Sequence, residues 1–126
     1  MDILKEHGLK TTRQRSDIVN ILLNATVPMC AEEIYEKTEE MSLSTVYRTL
    51  DALCECGVVK KENILDGDKM HYELADGKHR HYAVCLDCGR LTHIDVCPVH
   101  DASVNGFTVT GHKLELYGYC RDCTKK

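Results

Sequence analysis

An α+β fold in two parts is the reading favoured by this 126-residue sequence, and three observations carry it. Apolar residues in the first half recur at helical spacing. After Gly57 they turn to strand-like alternation. The second half joins short strand patterns to two C-x-x-C pairs, Cys85–Cys88 and Cys120–Cys123. Composition agrees: 43% hydrophobic residues suffice for a core, and eight cysteines with seven histidines are a large stock of transition-metal ligands. Cysteine is roughly 6% of the chain, below the range of disulfide-scaffold proteins. No apolar run approaches the ~20 residues of a membrane span. The N-terminal MDILKEHGLK lacks the apolar stretch of a signal peptide. The expectation is a cytoplasmic protein with no membrane partner, whose thiols stay reduced and open to metal.

Thr11 and Gln14 fit a capping box opening a helix with Ile18, Ile21, Leu22 and Ala25 on one face. Val27-Pro28 ends it. A second helix is expected over 31–38, with Ile34 and Tyr35 inward. Ser42 or Ser44 caps a third, whose apolar stripe is Val46, Leu50, Leu53 and Cys54. Gly57 stands where a C-terminal cap glycine belongs. Val58-Val59 and Ile64-Leu65 precede Asp66-Gly67, a strong hairpin signal. Beyond the turn Met70, Tyr72 and Leu74 alternate with His71 and Glu73, as on a half-buried strand. Three short helices followed by a hairpin is the order of a winged helix-turn-helix, and other small α+β domains share it. The domain reading is 1–75, a hinge linker at 76–78, and 79–126. In the second domain strands are expected over 80–86, 90–96 and 107–119, with one or two helical turns at 98–104.

The formal net charge is −4. Residues 1–74 carry 9 basic against 14 acidic side chains, and residues 75–126 carry 7 against 6, so neither part is basic. DNA contact would rest on a local patch, because phosphate attraction supplies most non-specific affinity. Lys5, Lys10, Arg13 and Arg15 against the single acid Glu6 offer one. A solvated helix end gives the same pattern.

Each C-x-x-C pair can place two thiolates on one side of a tight turn. Four thiolates about 2.3 Å from one ion make a closed tetrahedral zinc site. The 31 intervening residues are tolerable, since closure cost rises slowly with loop length. Redox dithiols or unrelated structural cysteines are the alternatives, but a thioredoxin-like dithiol needs a βαβ setting. Around these pairs lies a second ligand cluster. His79 and His81 share strand parity, His112 sits on a later strand, and His100 follows Cys97-Pro98-Val99. His7 reads as a surface or hydrogen-bonded side chain. With no phosphate loop and no paired acids, nothing marks an active site. A thiol redox enzyme using one C-x-x-C is the reading from another class.

The runs Gly8 to Arg15, Ala31 to Tyr35, Ser44 to Leu50, His79 to Gly89, Cys97-Pro98 and Gly111 to Cys120 resemble the ferric uptake regulator family of bacterial metal-responsive repressors. Zinc uptake regulators are the nearest branch in look. The resemblance implies a winged-helix DNA-binding domain and an α/β dimerisation domain. It also implies a homodimer on a palindromic double-stranded operator, with metal as co-repressor. Tyr47 and Arg48 match the family's recognition-helix contacts, Lys10 a residue approaching the minor groove, and Arg15 one meeting phosphate. Lys69, beside the wing turn, is a further expected backbone contact.

Cys85, Cys88, Cys120 and Cys123 match the family's structural zinc site, and His79, His81, His100 and His112 its second, regulatory metal site. Relatives often carry acids at the positions of His81 and His100. An all-imidazole set favours zinc over iron, with Fe(2+) and Mn(2+) as alternative regulatory metals. Between the domains, Pro28, Arg80 and Tyr82 stand where the family usually has histidines. Glu73 and His93 hold ligand positions, with His71 two residues away on the same strand face and Cys30 near Pro28. A rearranged hinge site of His71, Glu73 and His93 is one expectation; sensing by the four histidines is the other. The segment between His100 and His112 is about one helical turn shorter than the family's usual length. The peroxide-sensing branch has an aspartate where this chain has His93. Cys97-Pro98 reads as a strand end before a helix-starting proline, or as a haem-binding pair. An iron, peroxide or haem sensor of the same fold is therefore the alternative function.

Overall fold

The computed structural model describes residues 3–64, 69–75, 81–94, 103–110, 112 and 114–124. It divides into two compact units, Met1–Lys78 and His79–Lys126.

The first unit runs α1 (Ile3–Glu6), α2 (Arg13–Leu23), β1 (Met29–Cys30), α3 (Ala31–Lys37), α4 (Leu43–Glu55), β2 (Val59–Asn63) and β3 (Met70–Leu74). Helix α2 starts one residue later than the capping pattern suggested. Thr12, not Thr11, is the N-cap, and its Oγ1 accepts from the Arg15 backbone N–H at 3.2 Å. The helix ends at Asn24, before Val27-Pro28. In α3 Ile34 is fully buried while Tyr35 is 42% exposed, which corrects the inward expectation for Tyr35. Successive helical residues point about 100° apart, so the narrow core-facing stripe takes only one of the two.

Helix α4 has Ser42 as its N-cap, accepting from the Thr45 N–H at 3.2 Å. Val46, Leu50 and Leu53 are completely buried, and Cys54 packs half-buried beside them. Gly57 follows at φ 81°, the left-handed conformation that lets the chain leave the helix.

Strand β3 is central in a three-stranded sheet of order β1-β3-β2, antiparallel throughout. The β2/β3 register runs from Val59↔Leu74 to Asn63↔Met70, so the two strands form the expected pair. Asp66-Gly67 lies outside the described residues. Tyr72 and Leu74 enter the core made by α2, α3 and α4, whereas Met70 is largely exposed. Helix α1 and strand β1 had no sequence signal. The first is a single turn, and the second exists through pairing of Met29 with Tyr72 and Cys30 with His71.

The second unit contains β4 (His81–Cys85), β5 (Leu91–Ile94), β6 (Glu115–Gly118) and the short helix α5 (Arg121–Thr124). Its sheet has the order β5-β4-β6. Strand β5 is antiparallel to β4, as a short turn allows, while β6 runs parallel to it. Parallel pairing requires a long crossover, and residues 86–114 supply it. The long strand expected over 107–119 contracts to Glu115–Gly118. Residues 107–110 are irregular and Phe107 is 73% exposed. Of the helical turns expected at 98–104, residues 98–102 lie outside the described residues, and Ser103 and Val104 are irregular. Among the described residues no helix is long and apolar enough to cross a membrane.

Candidate metal centre and nucleic-acid interface

The β4–β6 register brings the two C-x-x-C pairs together. Cys85 ends β4 opposite Gly118, and the Leu86 N–H donates to the Gly118 carbonyl at 2.7 Å. Cys120 therefore emerges two residues beyond the point where β6 meets Cys85. On the other side, the Gly89 N–H closes a turn onto the Cys85 carbonyl at 3.0 Å, with Gly89 at φ 79°. That turn folds Cys88 back over Cys85. Helix α5 does the same for Cys123, whose N–H donates to the Cys120 carbonyl at 3.0 Å.

The four sulfurs lie within 4.8 Å of one another. Those of Cys88 and Cys120 are 3.7 Å apart. Sulfurs 2.3 Å from one tetrahedral ion stand ~3.8 Å apart, so the cluster fits a four-thiolate metal site. All seven described cysteines are thiols rather than disulfides. The backbone N–H groups of Cys88 and Cys120 point at the Cys85 sulfur at 3.5 and 3.4 Å. They hold its pKa down to about 6, and the N–H of Cys123 lowers that of Cys120. Cys85 thus presents ionised sulfur to a cation at neutral pH, whereas the hydrogen bond with Cys120 pushes the Cys123 thiol up. An ion pair of Arg90 with Asp122, at 3.1 Å, ties the first knuckle to the second. Nothing in the spacing of these two residues announced it.

Two of the four histidines are also brought together. Nε2 of His81 and Nε2 of His112 are 3.2 Å apart, and the rings stack with centroids 5.1 Å apart and planes 21° apart. Nitrogens about 2.0 Å from one tetrahedral ion stand ~3.3 Å apart. The pair is therefore spaced as two neighbouring ligands would be. His79 and His100 lie outside the described residues, as do Cys97 and Pro98.

Among the hinge candidates, His71 and Glu73 share a face of β3. His71 is paired with Cys30 on one side and Glu62 on the other. Its Nδ1 is buried and has no hydrogen-bond partner among the described residues. Glu73 is engaged by Lys60, at 3.2 Å. His93 lies on β5 of the second unit, paired with Tyr82. His7 sits just past α1, and its Nδ1–H donates to the Ile3 carbonyl at 2.9 Å.

The side chains expected to meet DNA belong to the first unit. Tyr47 and Arg48 are exposed on α4, and the Arg48 guanidinium reaches back to Thr45 Oγ1 at 3.4 Å. Lys10 is exposed just before α2, and Arg15 donates to its carbonyl at 2.9 Å, which joins those two cations. Arg13 stands 3.9 Å from Asp17 and 3.8 Å from Glu40, so acids meet part of its charge. Lys69 is exposed immediately before β3. Sequence reasoning overlooked Glu32, which accepts the Tyr47 hydroxyl at 2.9 Å.

A winged-helix unit and a thiolate-bearing α/β unit in one chain make this, by class, a DNA-binding and metal-binding regulator. A sequence model of the Ferric uptake regulator family matches residues 6–117. The chain is 34% identical to the peroxide operon regulator of Bacillus subtilis, over 100% of this chain and 92% of that protein. It is 34% identical to the ferric uptake regulation protein of Klebsiella pneumoniae, over 94% of this chain and 83% of the relative. The solved structure of the Vibrio cholerae ferric uptake regulator matches with a TM-score of 0.72 at 32% identity, covering 93% of this chain and 96% of that one. The chain belongs to the ferric uptake regulator family: it is a metal-responsive transcriptional regulator and not an enzyme.

Proposed function

We propose that the chain is a zinc-responsive repressor that binds a palindromic operator as a homodimer. The observation carrying the zinc reading is the His81–His112 pair, with its two nitrogens 3.2 Å apart. His79 and His100 complete the proposed regulatory set, and four imidazoles suit zinc better than the harder Fe(2+) or Mn(2+). Cys85, Cys88, Cys120 and Cys123 hold a second zinc, which is structural. In the proposed complex Tyr47 and Arg48 enter the major groove, Lys10 approaches the minor groove, and Arg15 and Lys69 meet phosphate. A dimer sets two copies of α4 about one helical turn of DNA apart. Exposed Phe107, Leu116, Tyr117 and Tyr119 in the second unit support self-association there.

A duplex selected from a random library and titrated with buffered zinc, ferrous iron or manganese tests this reading. Zinc is expected to restore binding at the lowest free concentration, and DNA should tighten zinc binding by the same factor. Restoration by iron or manganese, but not by zinc, overturns it. The iron and peroxide regulators among the relatives make ferrous iron the competing cation. Arg48→Ala is expected to weaken operator binding by about a hundredfold while zinc content, measured by elemental analysis, stays the same. Retained affinity in a gel-shift titration rejects the role of Arg48.

A further inference from the structure

Tyr47 does not stand alone on the face of α4. Its hydroxyl donates to Oε1 of Glu32 at 2.9 Å, a contact across fifteen residues that reaches the first turn of α3. Glu32 is half-buried and Tyr47 is exposed. With Lys69, just before β3, and Met70, its first residue, they line a recess of about 220 Å³. The carboxylate thus sits among side chains proposed to meet DNA. Its own backbone N–H and the Tyr47 hydroxyl hold its pKa below the usual carboxylate value, so it is charged at neutral pH.

An anion facing phosphates would only weaken binding. Facing base edges in the major groove, it discriminates. Cytosine offers its N4 amino group there as a donor, while guanine offers only the acceptors N7 and O6. The single hydrogen of the Tyr47 hydroxyl is already given to Glu32. The tyrosine ring is left for apolar contact with a thymine methyl, and the carboxylate, which the Cys30 thiol and the Lys69 charge also reach, has four lone-pair sites and so can still accept from a base amine.

We propose that Glu32 is a specificity-determining residue: braced by the Tyr47 hydroxyl, its carboxylate accepts a hydrogen bond from cytosine N4 in the major groove. It disfavours guanine at the same position. The proposal rests on the reading that the Tyr47 face of α4 meets DNA.

The test is selection from a random duplex library with the full-length, zinc-loaded chain, followed by affinity measurement on single-base variants of the enriched duplex. The wild-type chain is expected to enrich cytosine at one fixed position in each half-site. Glu32→Ala should lower that preference by about tenfold while leaving the other positions unchanged. Its affinity for unrelated duplex should be equal or higher, because a negative charge has been removed. Glu32→Gln should move the preference toward adenine, which a carboxamide can meet through N6 and N7. Tyr47→Phe removes the brace and should weaken the same preference with zinc content unchanged. A merely structural role would lower affinity for every sequence alike. That uniform loss, or an unchanged base preference in Glu32→Ala, overturns the proposal while the wild-type chain still selects an operator. Failure of the wild-type chain to enrich any sequence with zinc, iron or manganese overturns the DNA-binding reading itself, and this proposal with it.

Discussion

Stripping metal from the four-cysteine cluster is expected to unfold the second unit. Among the described residues, its buried apolar side chains are Tyr82, Val84 and Cys85, far fewer than the first unit buries. A unit of fewer than fifty residues commonly depends on cross-links. Structural zinc sites contribute an apparent 10–16 kcal/mol at neutral pH, comparable to the whole stability of a small domain. Chelation, or Cys120→Ser, should therefore abolish amide-exchange protection in β4 and β6 and leave that of α4 in place. Protection that survives in β4 after elemental analysis shows the metal gone would refute this. The pH dependence has a definite sign. The thiol of Cys85 is depressed to about 6, so its thiolate is present above that pH and lost as pH falls through it. Metal reloading, followed by absorbance or a competing chelator, should slow as the solution is acidified past that point.

Leu50→Ala should be strongly destabilising to the first unit. Leu50 is completely buried in the core that Ile18, Leu22 and Leu53 build between α2 and α4. Removing its side chain forfeits transfer energy and leaves a cavity, for about 3 kcal/mol in total. A denaturant titration should show the midpoint falling with the slope unchanged. Exchange protection along α4 should fall with it, because this leucine seats the helix that carries Tyr47 and Arg48. Tyr35→Ala, on the exposed side of α3, should change stability by less than about 0.5 kcal/mol. A loss below about 1 kcal/mol for Leu50→Ala would mean that neighbouring side chains collapse into the space.

Local rules account for what was legible in the chain. Ser42, the stripe of Val46, Leu50 and Leu53, and Gly57 specify α4 within sixteen residues, because cap, periodicity and exit all act over one or two helical turns. The thiolate cluster was legible for a different reason. Four like ligands in two close pairs have few uses other than a tetrahedral ion. What escaped is tertiary. Strand β1 is two residues long and is defined by β3, which lies some forty residues further on. The parallel placement of β6 has no local signature, since either direction shows the same alternation. Tyr35 reads as apolar by composition, yet the core stripe was already filled by Ile34. Glu32 looked like an ordinary acid in the first turn of a helix until the fold set Tyr47 against it.

The parallel pairing of β4 with β6 should also limit how fast a bound ion can leave. The cluster is a clasp of two bidentate halves, one in the β4–β5 turn and one beyond β6. An ion held by one half meets the other at the high effective concentration of a tethered reactant. Recapture then outruns escape for as long as the strands stay zipped. Residence time is expected to follow the frequency with which β6 peels from β4, more than the strength of any single sulfur bond. A chelator in solution would have to wait for that peeling, so its rate of extraction should level off as its concentration rises.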